Sequence, residues 1–172
     1  QECQRLGLCR FRPIIDGREN SYYEWLYAGR LDLTGQYGAA QRGTQCLRRL
    51  SYGYDETRLA LRLDLDTDRL SCLSGWTIEL WLSRDRRILI APAGSAAVQA
   101  RLMPGEAAVP CALGSILEMA VPLEQLGLEA GQPLQLAIVL RRNGDAVERH
   151  PDHGSFELPV AGLDLTERTW SA

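Results

Sequence analysis

Lysine is missing from this sequence: each of the 19 basic residues is arginine. A GC-rich genome produces such a bias. The short runs Arg48-Arg49, Arg84 with Arg86-Arg87, and Arg141-Arg142 are interleaved with acids, as solvated faces are. A phosphate-binding loop is excluded, because Gly35-Gln36-Tyr37-Gly38 has neither its spacing nor its lysine. An excess of positive charge is missing too. The net charge of −3 leaves no basic footprint for nucleic acid or for an anionic membrane. No stretch approaches the ~18 apolar residues of a membrane span, and no charged-then-apolar leader opens the chain. A cytoplasmic location and partners other than nucleic acid or membrane are therefore expected.

Histidine is scarce, with His150 and His153 flanking Pro151-Asp152 in a loop-like stretch. A serine–histidine–acid site needs its histidine on a structured element, so both are expected to be solvated loop residues. The five cysteines (Cys3, Cys9, Cys46, Cys72 and Cys111) are odd in number and form no CxxC. That excludes metal-type spacing and argues against a disulfide scaffold. Buried free thiols in a reducing compartment are expected, with a local Cys3–Cys9 pair as the alternative. Long amphipathic helices, internal repeats and linkers are also lacking.

What the chain does have is an apolar core in short pieces. It is 45% hydrophobic and 24% charged over 172 residues, long enough to bury roughly 70% of its unfolded surface without staples. One domain over residues 1–172 is expected, with its core at about 13–160. The chain opens on Gln1, which fits a piece of a longer polypeptide.

Leu59, Leu61, Leu63 and Leu65 alternate with Ala60, Arg62 and Asp64; Trp76, Ile78, Leu80 and Leu82 alternate with Thr77, Glu79 and Trp81. That period of two marks half-buried strands. Leu47–Tyr54 pairs with the first of them as a hairpin. Leu134, Leu136, Ile138 and Leu140 alternate with Ala137 and Val139, so this strand is apolar on both faces and expected to be central. Asn143-Gly144 is a hairpin turn, returned by Ala146–Arg149. Arg87–Ala91, Val98–Leu102, Ile116–Val121 and Phe156–Val160 read as further strands, and Leu123–Leu126 as a single helical turn closed by Gly127. Ala91–Pro110 is expected to be the most mobile loop region. The reading is all-β: an antiparallel sandwich, jelly-roll or immunoglobulin-like, of about eight or nine strands.

Candidate chemistry is sparse. Asp64, Asp66 and Asp68 suggest a calcium loop, but Arg69 and Gly75 stand where an EF-hand needs glycine and glutamate. A sandwich-type calcium site is the one cofactor left open. Glu79 and Glu118 lie inside apolar strands, where a carboxylate must face water or find a partner. The aromatic residues carry more information, since sugar rings stack their C–H faces on them. Tyr22, Tyr23, Trp25 and Tyr27 cluster in one irregular segment, with Trp25 read as core. Trp81 points away from the leucine face, beside Glu79.

Pro13-Ile14-Ile15-Asp16-Gly17-Arg18 followed by Ser21-Tyr22-Tyr23-Glu24-Trp25-Leu26-Tyr27-Ala28-Gly29 resembles the start of the C-terminal β-sandwich region of glycoside hydrolase family 57 proteins. Leu50–Asp55 with Leu59–Asp64 looks like the hairpin of that region. Ile116–Pro122 with Leu126-Gly127-Leu128 is similar to a segment of DOMON-like domains and family 9 carbohydrate-binding modules. The resemblance implies an accessory sandwich beside a catalytic barrel of the same polypeptide, with no catalytic residue of its own. DOMON-like relatives also bind haem through methionine or histidine, for which Met103, Met119 and two loop histidines are poor candidates. The expected function is non-catalytic binding of an α-glucan or oligosaccharide. Trp81, Tyr22, Tyr23 and Tyr27 would stack on the sugar, and Glu79 and Arg62 would bond its hydroxyls. The alternative is a structural domain that packs on the barrel and binds no sugar.

Overall fold

The computed structural model describes residues 14–19, 29–34, 45–54, 57–82, 85–94, 97–127 and 133–158. These hold twelve strands: β1 (Gly29–Asp32), β2 (Leu47–Tyr54), β3 (Arg58–Leu65), β4 (Trp76–Leu82), β5 (Arg86–Ala93), β6 (Ala97–Met103), β7 (Ala107–Val109), β8 (Cys111–Leu113), β9 (Leu117–Pro122), β10 (Leu134–Arg142), β11 (Asp145–His150) and β12 (Phe156–Leu158). Two short helices, α1 (Thr67–Cys72) and α2 (Leu123–Leu126), sit between strands. The strands form two antiparallel sheets. One runs β1-β2-β3-β9-β8; the other runs β11-β10-β4-β5-β6-β7, with β12 also paired to β10.

Alternation places the core. On β3, Leu59, Leu61 and Leu63 are fully buried, and their cross-strand partners on β9 are Val121, Met119 and Leu117, also fully buried. On β4, Ile78 and Leu80 pair with Ile90 and Ile88 of β5 and with Leu140 and Ile138 of β10, all at most 1% exposed. These two layers merge into one apolar cluster between the sheets. Each fully buried leucine or isoleucine contributes about 1.5–3 kcal/mol by transfer out of water, and the pleat sends every intervening residue outward.

The hairpin turn at Asn143-Gly144 has both residues at positive φ (48° and 88°), as a type I′ turn requires. Gly127 closes α2 in the left-handed region. As its two apolar faces imply, β10 is central: β4 lies on one side, and β11 and β12 lie on the other.

Four expectations are corrected. Among the described residues there are twelve strands rather than eight or nine, because β1, β7 and β8 have three or four residues each, too few to show a full period. Ala91–Pro110 is not a loop region: it holds the end of β5, all of β6 and β7. The aspartate run, which suggested a loop, leads into a helix and caps it. The Asp66 carboxylate accepts from the Arg69 amide at 3.1 Å, one of the donors a helix start leaves unpaired. And His150 is no loop residue. β11 continues through it, opposite Ile138, and the ring is fully buried, whereas His153 is exposed.

Leu61→Ala is expected to lower unfolding free energy by about 2–5 kcal/mol through the cavity it leaves. Arg30→Ala, at an exposed position of β1, should stay within about 0.5 kcal/mol. Urea denaturation of both variants reads the difference; equal effects would contradict this assignment of inner and outer faces.

Candidate functional site

The outward residues of β4 are Thr77, Glu79 and Trp81. Strand pairing sets Trp81 between Ala137 of β10 and Arg87 of β5, and Glu79 between Val139 and Leu89. The Arg87 guanidinium lies over the indole, 5.2 Å from its centroid, within cation–π range. On the other side the neighbour is only the methyl group of Ala137. There an open groove of about 500 Å³ begins, lined from β10 by Gln135, Ala137, Val139 and Arg141. No described lining residue comes from β5. The half-buried indole is thus backed by a cation and borders the groove on its β10 side.

The groove has an apolar floor and a polar rim. Ala137 and Val139 make the floor; Gln135, Arg141, Arg149, Asp85 and Ser155 stand around it. Its β11 side is fixed by two arginines. Arg149 bonds the carbonyls of Pro151 and Gly154 (2.8 Å for the latter), which holds the bend between β11 and β12. Arg141 donates to the Gly144 carbonyl at 3.1 Å and so ties down the hairpin turn.

Glu79 is 4% exposed although it faces outward. Its Oε2 accepts from Arg87 Nη1 at 3.1 Å and its Oε1 from Arg141 Nε. A carboxylate so enclosed is tolerable only because both oxygens are paired with cations. Glu79 therefore belongs to the groove's framework, not to its open surface. Arg62 is elsewhere, on the outer face of the five-stranded sheet. It bonds Asp64 at 2.8 Å and Glu19 at 3.1 Å, with its side chain 12% exposed. Burial works against its charge, but those two acids outweigh it and hold the guanidinium more firmly protonated than usual. The structure brings Trp81 and Glu79 together and leaves Arg62 on the other sheet. Tyr22, Tyr23, Tyr27 and Trp25 lie outside the described residues.

The remaining candidates have structural partners. Glu118 is fully buried and accepts from the Gly17 amide at 3.0 Å; Gly17 in turn accepts from the Ile116 amide at 3.3 Å. At Gly17 a Cβ would lie 2.5 Å from the Gly114 nitrogen, so only glycine lets the 14–19 segment approach this closely. His150 Nε2 lies 2.6 Å from Glu148, whose two oxygens also accept from the Cys46 and Leu47 amides at 2.8 and 3.1 Å. Of the aspartate run, Asp64 is paired with Arg62, and Asp66 with Arg48 and Arg69. No group of three or more metal-ligating side chains occurs among the described residues.

Cys46, Cys72 and Cys111 carry free thiols; Cys72 is exposed, not buried as expected. Burial and then the nearby Glu148 push the Cys46 thiol up to about 11, and burial alone pushes Cys111 up to about 12. Both are poor nucleophiles at neutral pH.

Reading missed Arg87, Arg141, Arg149 and Gln135. A signal was present for the first two, since Arg87 and Arg141 stand at outward positions of their strands. Linking them to Glu79 required the strand order. Comparison with family models, with curated proteins and with solved structures yields no match.

The thiols give a pH prediction. Unfolded thiols ionise near 8.5, while these two stay protonated in the fold to about 11 and 12. Above pH 8.5 the unfolded chain binds fewer protons than the folded one, so stability falls as pH rises from about 8.5 to 12. Chemical denaturation at stepped pH should show that decline, and Cys111→Ala should make it shallower. A flat profile would contradict the shielding of buried Cys46 and half-buried Cys111 from water. Alkylation at pH 8, mapped by peptide mass, should mark Cys72 ahead of Cys46 and Cys111.

Proposed function

We propose that this chain is a non-catalytic accessory module that holds a neutral α-glucan or oligosaccharide in the groove beside Trp81. One observation carries the reading: an outward, half-buried indole with its rear face on Arg87 borders a 500 Å³ open groove with an apolar floor and a polar rim. A pyranose offers an apolar C–H face to such a ring and hydroxyls to the planar groups around it. Gln135, Arg149 and Ser155 are the donors and acceptors for those hydroxyls. Arg87, Arg141 and Arg149 stand against Glu79 and Asp85, a surplus of a single positive charge, so the groove has no strong field of one sign. An uncharged polyol suits it better than a polyanion.

The non-catalytic part rests on the acids. Glycoside hydrolysis uses two carboxyl groups across the scissile bond. Among the described residues Asp85 is the acid on the groove lining, and Glu79 is buried with both oxygens taken by arginines. The accessory role, beside a catalytic barrel of the same polypeptide, follows from the resemblance of the 13–29 and 116–128 segments to glycoside hydrolase family 57 and DOMON-like sandwiches. A cytoplasmic setting belongs to the same reading, since Cys46, Cys72 and Cys111 are free thiols.

Affinity electrophoresis in gels containing amylose, glycogen or pullulan tests the reading. Retardation of the wild-type chain should disappear in Trp81→Ala, which removes the platform, and in Ala137→Phe, which fills the groove from the outer face. Circular dichroism should show both variants folded. Absence of retardation on every glucan would point instead to a structural domain that packs on its barrel and binds no sugar.

A further inference from the structure

Glu79 occupies a particular place in the sheet. Along β4 it stands between Thr77, paired with Arg141, and Trp81, paired with Arg87. One carboxylate at that position reaches both arginines, and each arginine has a second engagement. Arg87 lies over the Trp81 ring. Arg141 lines the groove and bonds the Gly144 carbonyl. The carboxylate is enclosed, with its side chain 5% exposed, whereas the arginines are 35% and 31% exposed. A ligand entering the groove would thus meet Trp81 and Arg141 without touching Glu79.

We propose that Glu79 is the positioning residue of the groove: before any ligand arrives, it holds Arg87 against the back of the indole and Arg141 at the rim. The inference rests on the groove being the glycan site. A platform and rim fixed in advance save the ordering cost that binding otherwise meets. With the carboxylate gone, two guanidinium groups face the same point with no anion between them. They repel and turn toward water, so the indole loses its backing and the rim its fixed edge. The indole and the rim are separate arms of one clamp, and they are separable by experiment.

The test uses the whole chain and begins without ligand. Trp81 shares the chain with Trp25, Trp76 and Trp170, so its own signal is the difference in near-UV circular dichroism and emission between a protein and its Trp81→Phe counterpart. Glu79→Gln should change that difference spectrum and make the indole easier to quench with iodide. Arg87→Met should reproduce the change, and Arg141→Met should not. In the glucan gels, Glu79→Gln and Arg141→Met should each weaken apparent affinity about tenfold, a loss typical of one fixed wall of a site. If the Trp81 signal is unchanged in Glu79→Gln, the positioning role is wrong, even if thermal stability falls and even if Arg87→Met changes it. If the wild-type chain binds no glucan, the glycan reading fails, and the ligand-free spectra still decide whether Glu79 sets Trp81. If Glu79→Gln does not fold, Glu79→Asp, which keeps the charge but is too short to hold both arginines, takes its place: an unchanged Trp81 signal in it overturns the positioning role.

Discussion

The apolar layer between the two sheets is the constraint from which the rest follows. Leu59, Leu61 and Leu63 from one sheet and Ile78, Leu80, Ile88 and Ile138 from the other must be removed from water together. A strand has period two, so fixing one face fixes the other. Glu79 and Trp81 face outward because Ile78, Leu80 and Leu82 cannot. A slip of one residue in β4 would send the leucines out and the indole in, which the core forbids.

Carboxylates do the remaining joining. Glu79, Glu118 and Glu148 are each largely shut off from water, and each takes at least one partner 62 or more positions away in the chain. Glu118 takes the Gly17 amide, Glu148 takes the Cys46 and Leu47 amides, and Glu79 takes Arg87 and Arg141. An enclosed carboxylate without such donors is costly. Each pairing therefore discriminates strongly against arrangements that separate its partners. Glu148 bridges the sheets themselves, from β11 to the start of β2. Glu118 fastens the 14–19 segment to β9 of the five-stranded sheet. Glu79 works within one sheet, and there its effect is to shape a surface.

That surface owes its concavity to β10. On one side β10 pairs with β4; on the other it pairs first with β11 and then with β12. The chain must bend between these two partners, and the bend, held by Arg149, brings Gly154 and Ser155 to the groove. Ala137 keeps the space open, since the residue of β10 paired with Trp81 carries no more than a methyl group. The indole, the small residue and the bend come from three separate stretches of sequence, and the groove exists only where they meet.

Alternating leucines in 59–65 and 76–82, the double-faced strand at 134–140 and the Asn143-Gly144 turn were readable because each is a local pattern with a local physical cause: pleat period, burial on two faces, positive φ. The sequence by itself determined an antiparallel all-β sandwich, which residues point inward, and that Trp81 points outward. Short strands without a full period, the buried state of His150 and the capping role of Asp66 escaped it, since each depends on a neighbour. Only the tertiary structure decided that Arg87 and Arg141 converge on Glu79, and that Arg62 lies on the other sheet. The physical reason is that strand order is set by how whole faces pack, and residues 62 positions apart become neighbours only through that order.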